Sequence, residues 1–130
     1  AEVIRLYRQM VFNVVARNQD DHVKNFAFLM DRRGTWRLAP AYDLTYANGA
    51  QWTSQHQITV AGVAVDPTDV DMLKVAREHA IPGAGVIIEE VRDAVARWPA
   101  FAEEVGLSQR WTDNIQAAHR VSDGVSFHPR

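Results

Sequence analysis

Apolar side chains recur with a helical period at the start of the chain. This spacing predicts a helix over residues 1–18. The stripe comprises Val3, Tyr7, Val11, Val14 and Val15, widened by Leu6, Met10 and Phe12. A helix that is apolar around most of its circumference is expected to be surrounded by protein. A polar cluster at residues 18–22 ends the pattern.

A short apolar run at residues 26–30 is followed by turn residues and then by an alternating segment. We predict a buried strand over the run, a turn at residues 31–34 and a second strand over residues 35–38, which together form a β-hairpin. Pro40 cannot donate to a sheet ladder, so pairing should end near it. The polar stretch at residues 42–57 is predicted to be a long surface loop.

The remainder of the chain is predicted to be helical. One helix begins at residues 66–69, where a proline and acidic side chains suit a first turn, and stops before Pro82 and Gly83. A second spans about 84–98, where Pro99 interrupts it, and a third spans about 108–121. Three tryptophans lie on apolar faces and are expected to pack in the interior: Trp36, Trp98 and Trp111.

These elements predict one domain over residues 1–130, mainly α with a small β-hairpin. The candidate loop and hairpin occupy residues 1–60, the helical part residues 61–121, and a loose tail residues 122–130. A length of 130 residues and an apolar fraction of 47% suit one globular domain. The chain begins at Ala1 without an initiator methionine, and we expect it to be part of a longer protein.

Charge and cysteine content exclude several classes of function. A net charge of −2 gives no sign of a nucleic-acid interface. The absence of cysteine excludes disulfides, thiolate zinc sites and thiol nucleophiles. No apolar run approaches the roughly 18 residues that a membrane span requires, so we expect no membrane partner.

The candidate chemistry lies on both sides of the predicted hairpin. Asp20 and Asn25 are separated by the D-x-x-x-x-N interval of a protein-kinase catalytic loop. Because a hairpin returns the chain to its starting point, Asp43 is expected to arrive beside this loop. Phosphoryl transfer requires a carboxylate at the acceptor hydroxyl and oxygen ligands for Mg²⁺. We therefore predict Asp20 as the base, Asn25 and Asp43 as magnesium ligands, and Lys24 as a positive charge near the phosphate.

Two motifs carry a resemblance to a known family. The string N-x-D-D-H-x-K-N-F at residues 18–26 and the L-x-P-x-Y-D-L element at residues 38–44 resemble the C-terminal lobe of the HipA family. These are bacterial Ser/Thr protein kinases that act as toxins in toxin–antitoxin pairs. The resemblance is distinctive over residues 1–60 and looser over the later helices. It implies the C-terminal (large) lobe of a protein-kinase-like fold.

The resemblance also implies a role for each candidate residue. Asp20 corresponds to the catalytic base, and Asn25 and Asp43 correspond to the residues that hold Mg²⁺ with ATP as substrate. The nucleotide site is lined by the stretches that contain His22, Lys24 and Tyr42. On the residues alone, Tyr42 suits core packing as well as nucleotide packing, and His22 suits a hydrogen-bonding brace better than a metal ligand. Asp21, one residue off the interval, is expected to be a structural acid, and Trp52 in the polar loop an anchor for a partner.

The resemblance further implies a cytoplasmic toxin with a protein substrate and an antitoxin partner, through which DNA contact mainly occurs. In that family the targets belong to the aminoacyl-tRNA synthetase machinery. An N-terminal lobe with a glycine-containing phosphate loop and a strand lysine is absent from this sequence, so we expect weak ATP binding and no turnover without it. The main alternative is a non-catalytic remnant that binds an antitoxin or a separate N-lobe. A metal-dependent hydrolase ranks lower, because two-metal sites usually recruit more carboxylates.

Overall fold

The computed structural model describes residues 1–121, and within them it contains five α-helices and one two-stranded sheet. In chain order these are α1 (Glu2–Val15), β1 (Phe28–Met30), β2 (Trp36–Leu38), α2 (Asp69–Glu78), α3 (Ala84–Ala96), α4 (Trp98–Glu104) and α5 (Gln109–Ala118), with short 3-10 helices at Val23–Asn25 and Gln51–Ser54. The predicted mainly helical class with a small hairpin is confirmed for this part of the chain. The tail predicted for residues 122–130 lies outside the described residues.

The core lies where α1 packs against α3, with α2 beside them. The helix predicted at the start of the chain is confirmed, although it ends at Val15 instead of residue 18. Its predicted apolar stripe is buried from Tyr7 onward, whereas Val3 and Leu6 in the first turns are 54% and 38% exposed. Its buried apolar residues are joined by others from α2 and α3: Tyr7, Val11, Val14 and Val15; Met72 and Ala76; Ile87, Ile88, Val91 and Val95. Burying these side chains supplies the hydrophobic stabilisation of the fold.

The two strands form the predicted antiparallel hairpin, in which Phe28 pairs with Leu38 and Met30 with Trp36. The carboxylate of Asp31 accepts backbone hydrogen bonds inside the turn, and Gly34 adopts a φ of +82° there. The predicted burial of the first strand is wrong: each of its three residues is about half exposed. The reason is that β1 lies in a sheet of only two strands and needs a further layer to cover it.

Side chains of the first turn of α1 fix the end of the hairpin. The Glu2 carboxylate accepts a hydrogen bond from the Leu38 N–H, and the Arg5 guanidinium donates to the Leu38 carbonyl at 3.2 Å. Both backbone groups of Leu38 at the outer edge of β2 are therefore paired. This arrangement holds the returning strand against the helix that precedes the candidate loop.

The predicted start of α2 is confirmed, and its end comes earlier than predicted. The Thr68 side chain and Asp71 form a capping box at the start. At the other end, Ala80 has a φ of +51°, and the Ile81 N–H donates to the Ala76 carbonyl at 2.9 Å. This left-handed Schellman turn stops the helix before Pro82 is reached.

Helix α4 has no counterpart among the predicted elements. Pro99 interrupts the preceding helix as predicted, but it also lies in the first turn of a new helix, where proline is well tolerated. Trp98 packs as expected, since its indole N–H donates to the Thr112 carbonyl at 3.1 Å. The packing expected for Trp111 and Trp36 is wrong, because these side chains are 58% and 64% exposed.

The exposure of Trp111 has a simple geometric cause. The buried residue of α5 is Thr112, one position further along the helix, and Ile115 is half-buried. Successive residues of a helix point about 100° apart, so the face that meets the core turns Trp111 outward. Among the described helices, none has the length and apolar character needed to cross a lipid bilayer.

Candidate functional site

The candidate loop begins with a short stretch of parallel pairing between residue 18 and the segment after Asp43. The Gln19 N–H donates to the Ala47 carbonyl, and the Ala47 N–H donates to the Arg17 carbonyl, both at 3.0 Å. Asn18 is buried, and its amide donates to the Asn13 side chain at 3.0 Å. The loop is therefore attached both to α1 and to the surface loop.

Gln19 extends this attachment with its side chain, which is almost completely buried. Its amide nitrogen donates to the Thr53 carbonyl at 2.6 Å and to the Asn48 side-chain oxygen at 3.2 Å. Buried amides are retained where such partners satisfy them. Gln19 thus holds the middle of the loop that follows Asp43.

Asp21 holds the far end of the same loop. One carboxylate oxygen lies 2.9 Å from Nδ1 of His56, and the other accepts the Gln57 N–H at 2.8 Å. Both side chains are buried, with 6% exposure for Asp21 and none for His56. The structural role expected for Asp21 is confirmed, because both of its oxygens are engaged in holding the fold.

Asp20 differs from its neighbours in having an open carboxylate. Its side chain is 36% exposed, and the nearest basic nitrogen, Nε2 of His22, lies 3.9 Å away, beyond hydrogen-bond distance. Nδ1 of His22 is buried without a partner among residues 1–121. The Asp20 carboxylate is therefore free to meet a ligand.

Asn25 is oriented by the loop itself. It is buried, and its amide nitrogen donates to the Asp20 carbonyl at 2.9 Å. Its Oδ1 accepts no hydrogen bond from any residue in the described range. The amide therefore presents its oxygen, and not its nitrogen, to whatever lies beyond the loop.

A hydrogen bond joins the two sides of the hairpin beside these residues. The Tyr42 hydroxyl donates to the Lys24 carbonyl at 2.7 Å. Since Lys24 precedes Asn25 and Tyr42 precedes Asp43, this bond brings together the two segments that carry the predicted magnesium ligands. The Tyr42 ring is 41% exposed, so the residue belongs to the surface of the site and not to the core.

Asp43 occupies an unusual backbone conformation. Its φ is +53°, in the left-handed region that few non-glycine residues adopt. Its exposed carboxylate makes no hydrogen bond or ion pair with the described residues. Five other non-glycine residues of the described range share this backbone conformation, so it does not by itself mark a site. The Lys24 side chain is likewise exposed and forms no ion pair within residues 1–121.

The available oxygen atoms fit a magnesium ion. The Asn25 amide oxygen and the Asp43 carboxylate are the hard donors that Mg²⁺ prefers, and this ion keeps phosphate and water oxygens for its other positions. The described residues contain no cluster of three or more His, Asp or Glu side chains that would hold a metal. A magnesium site with two protein ligands does not require a cluster of three such side chains.

An apolar cavity of about 390 Å³ lies between α1 and the candidate loop. Leu6 and Met10 of α1 line it together with Asp21, Val23 and Phe26 of the loop. Asp20 and Asp43 are not among its lining residues.

The residues that organise this loop are not among the predicted site residues. Gln19 and His56 carry much of the attachment, yet His56 lies 35 positions beyond Asp21. No periodicity or local spacing connects residues so far apart. The only hint in the sequence is that a histidine stands in an otherwise uncharged polar stretch.

Comparison with known proteins identifies a matching family and a curated relative. A family model described as the HipA-like C-terminal domain matches residues 1–117. A curated protein of Sinorhizobium fredii named "Putative kinase Y4dM" is 26% identical over 132 residues. The match covers 98% of this chain and 30% of the relative, so the chain spans about a third of the relative's length.

Proposed function

Since the chain belongs to the HipA-like C-terminal domain family, we propose that it forms the catalytic-lobe part of a protein serine/threonine kinase. The reaction is the transfer of the γ-phosphoryl group of Mg·ATP to a protein hydroxyl. The name of the Sinorhizobium relative supports kinase chemistry, and the interval between Asp20 and Asn25 supports the kinase type of catalytic loop.

The observation that carries the proposal is the junction between Tyr42 and Lys24. Their 2.7 Å hydrogen bond links the segment ending in Asp43 to the segment ending in Asn25. Asp20, whose carboxylate is open, lies in the same short loop as Asn25. The Asn25 side-chain amide donates to the backbone carbonyl of Asp20. Phosphoryl transfer depends chiefly on positioning and charge stabilisation, and the junction supports the proposal because it joins the two segments that carry the proposed ligands.

Each residue then has a defined task. The oxygen of the acceptor hydroxyl bonds to the γ-phosphorus, and the Asp20 carboxylate accepts the proton which that hydroxyl loses. The bond from that phosphorus to the β–γ bridging oxygen breaks, and ADP leaves with the electron pair. Lys24, exposed and without an ion pair among the described residues, offers positive charge to the phosphate oxygens.

Asn25 and Asp43 are the residues that would hold magnesium. When bound, the ion neutralises phosphate charge and orients the nucleotide. The amide of Asn25 is already turned by its bond to Asp20, so its oxygen needs no reorientation. The Asp43 carboxylate is exposed and makes no hydrogen bond or ion pair with the described residues, so it is available to the ion.

The rest of the proposed enzyme extends beyond this chain. The chain spans about a third of the relative's length, and a nucleotide-binding N-terminal lobe is part of the proposal. We further propose a cytoplasmic toxin that acts on a protein substrate and is held by an antitoxin. Isolated residues 1–130 should bind Mg·ATP more weakly than micromolar, which calorimetry would measure.

Substitution in the protein expressed from its complete reading frame tests the proposal. We expect Asp20→Asn and Asp43→Asn each to lower phosphate transfer to protein by about 100-fold or more, the usual cost of losing a catalytic carboxylate. Asp93→Asn is the matched control, since Asp93 is exposed on α3, and should retain full activity. Kinase activity retained in either site variant overturns the role assignment. A wild-type protein that binds an antitoxin but transfers no phosphate supports the non-catalytic alternative.

A further inference from the structure

The surface loop after Asp43 is attached to the candidate loop at three successive points. Residue 18 pairs with the backbone at Ala47, Gln19 binds the Thr53 carbonyl, and Asp21 binds His56 and Gln57. Within residues 18–21, the side chains of Gln19 and Asp21 bind this loop, and the Asn18 side chain binds Asn13 of α1 instead. The Asp20 side chain makes no hydrogen bond to a described residue. The segment carrying the proposed base therefore also holds the loop that begins at the proposed metal ligand Asp43.

We propose that Asp21 and His56 are positioning residues, which lock the 44–57 loop so that Asp43 is presented to the nucleotide-bound metal beside Asp20. This inference rests on the proposed kinase function. It assigns neither residue to the chemical step, because both are buried away from solvent. Their effect reaches the site through the backbone of the loop.

The environment of His56 defines how the lock works. Its Nδ1 lies 2.9 Å from the Asp21 carboxylate, its backbone N–H donates to the Ala64 carbonyl at 2.9 Å, and its Nε2 is buried without a partner among residues 1–121. The His56 side chain therefore holds Asp21 through one contact, in which Nδ1–H donates to the carboxylate.

This single-donor role supplies a matched pair of variants. The amide nitrogen of asparagine lies at nearly the same distance from the backbone as Nδ1 of histidine, so His56→Asn retains the donor. His56→Leu removes it and leaves the Asp21 carboxylate buried with one partner fewer. Unsatisfied buried acceptors are among the more destabilising local changes.

Loop order is the first measurement, and it does not depend on activity. Residues 44–57 contain no lysine or arginine, so chymotrypsin is the suitable protease, with Tyr46 and Trp52 as exposed cleavage sites. In the complete protein, we expect His56→Leu to raise cleavage within this loop about tenfold through local opening, while His56→Asn stays near the wild-type rate. Equal cleavage of His56→Leu and wild type overturns the proposal.

The magnesium requirement is the second measurement, and it separates positioning from simple loss of stability. A displaced Asp43 should raise the Mg²⁺ concentration for half-maximal phosphate transfer by about fivefold or more in His56→Leu, whereas global destabilisation lowers only the amount of active protein. His56→Asn should restore the wild-type requirement. A fall in activity with an unchanged magnesium requirement counts against positioning.

The two measurements keep this inference distinct from the kinase proposal. If wild type transfers no phosphate, the kinase proposal fails, and the cleavage comparison still decides whether the pair holds the loop. If His56→Leu does not fold, Asp21→Asn replaces it, because that variant keeps the acceptor for the Gln57 N–H and changes only the oxygen that faces His56. It should show the same rise in loop cleavage, and a wild-type rate would refute the lock.

Discussion

Arg92 of α3 and Asp69 of α2 form a buried bidentate ion pair. Nη1 of Arg92 donates to one Asp69 oxygen at 3.0 Å and Nη2 donates to the other at 2.5 Å, with 8% and 3% of the two side chains exposed. The pair joins the two helices that pack beside α1. Each of these buried charges is stabilised by its partner, because neither is stabilised by water.

Removing one member of this pair should therefore be costly. We expect Arg92→Met to lower the free energy of unfolding by about 3–5 kcal/mol, because Asp69 remains buried without its counter-charge. Urea denaturation measures the change. Arg8→Met is the matched control, since the Arg8–Glu90 pair is about half exposed and its loss should cost less than about 1 kcal/mol. Similar losses for the two variants would contradict the importance of the buried pair.

The Tyr7 hydroxyl should make stability fall at alkaline pH. Burial first, and the nearby Asp69 charge second, raise the pKa of Tyr7 from 10.0 to about 12. Between pH 10 and about 12 the unfolded chain loses this proton while the folded chain keeps it. Stability is therefore complete below pH 10 and falls by roughly 2 kcal/mol across the window.

Denaturation curves collected from pH 9 to 12 test this expectation. Tyr7→Phe should lose part of the alkaline decline. It also loses the 3.0 Å hydrogen bond from the hydroxyl to the Met72 carbonyl, which costs about 1 kcal/mol at neutral pH. An alkaline decline of equal size in Tyr7→Phe and wild type would assign the effect to other groups.

The left-handed turn at Ala80 should be improved by glycine. Ala80 has a φ of +51° and pays the steric cost of its Cβ in that region, so Ala80→Gly should raise the unfolding free energy by about 0.5–1 kcal/mol. Thermal denaturation provides the measurement. Ala117→Gly, at an exposed helical position of α5, is the control and should be destabilised by about as much. A loss in both variants would show that the turn does not favour glycine.

The hydrogen bond from Tyr42 to Lys24 should matter more for activity than for stability. Because it is exposed, Tyr42→Phe should cost less than about 1 kcal/mol of stability. In the complete protein, it should lower kcat for phosphate transfer by about tenfold, through looser placement of Asp43.

Tyr46→Phe is the control for this prediction. It keeps the ring that contacts His119 edge-on, and the Tyr46 hydroxyl has no hydrogen bond to a described residue. Its steady-state kinetics should match wild type. Equal activity of Tyr42→Phe and Tyr46→Phe would contradict a role for the Tyr42–Lys24 hydrogen bond in aligning the site.

The sequence was a good guide wherever the signal was local. The stripe of α1 follows from its period, and the hairpin follows from Gly34 and the alternation around it. The helix starts predicted at residues 66–69, from a proline and acidic side chains, and at about residue 108 also agree with the structure. Each of these depends on residues within a few positions of one another.

The errors arose where a distant neighbour decides the outcome. The apolar run in β1 was expected to be buried, but burial depends on a covering layer, and the described residues leave Phe28 and Met30 half exposed. A tryptophan signals burial by its size, yet the rotation of α5 places Thr112 inward instead of Trp111. For the site, the spacing led to Asp20, Asn25 and Asp43, whose roles stay predictions. The link between Asp21 and His56 has no local signal.

Within one short segment, the Gln19 and Asp21 side chains hold the neighbouring loop, and the Asp20 side chain between them is left available for the proposed reaction. An amide in place of the Asp20 carboxylate leaves every anchor of the neighbouring loop untouched, because that side chain holds nothing. On the proposed role, Asp20→Asn is inactive and keeps the folded shape of the active protein. The variant should therefore retain the surfaces that bind substrate and partner proteins, which makes it suitable for isolating them by affinity capture.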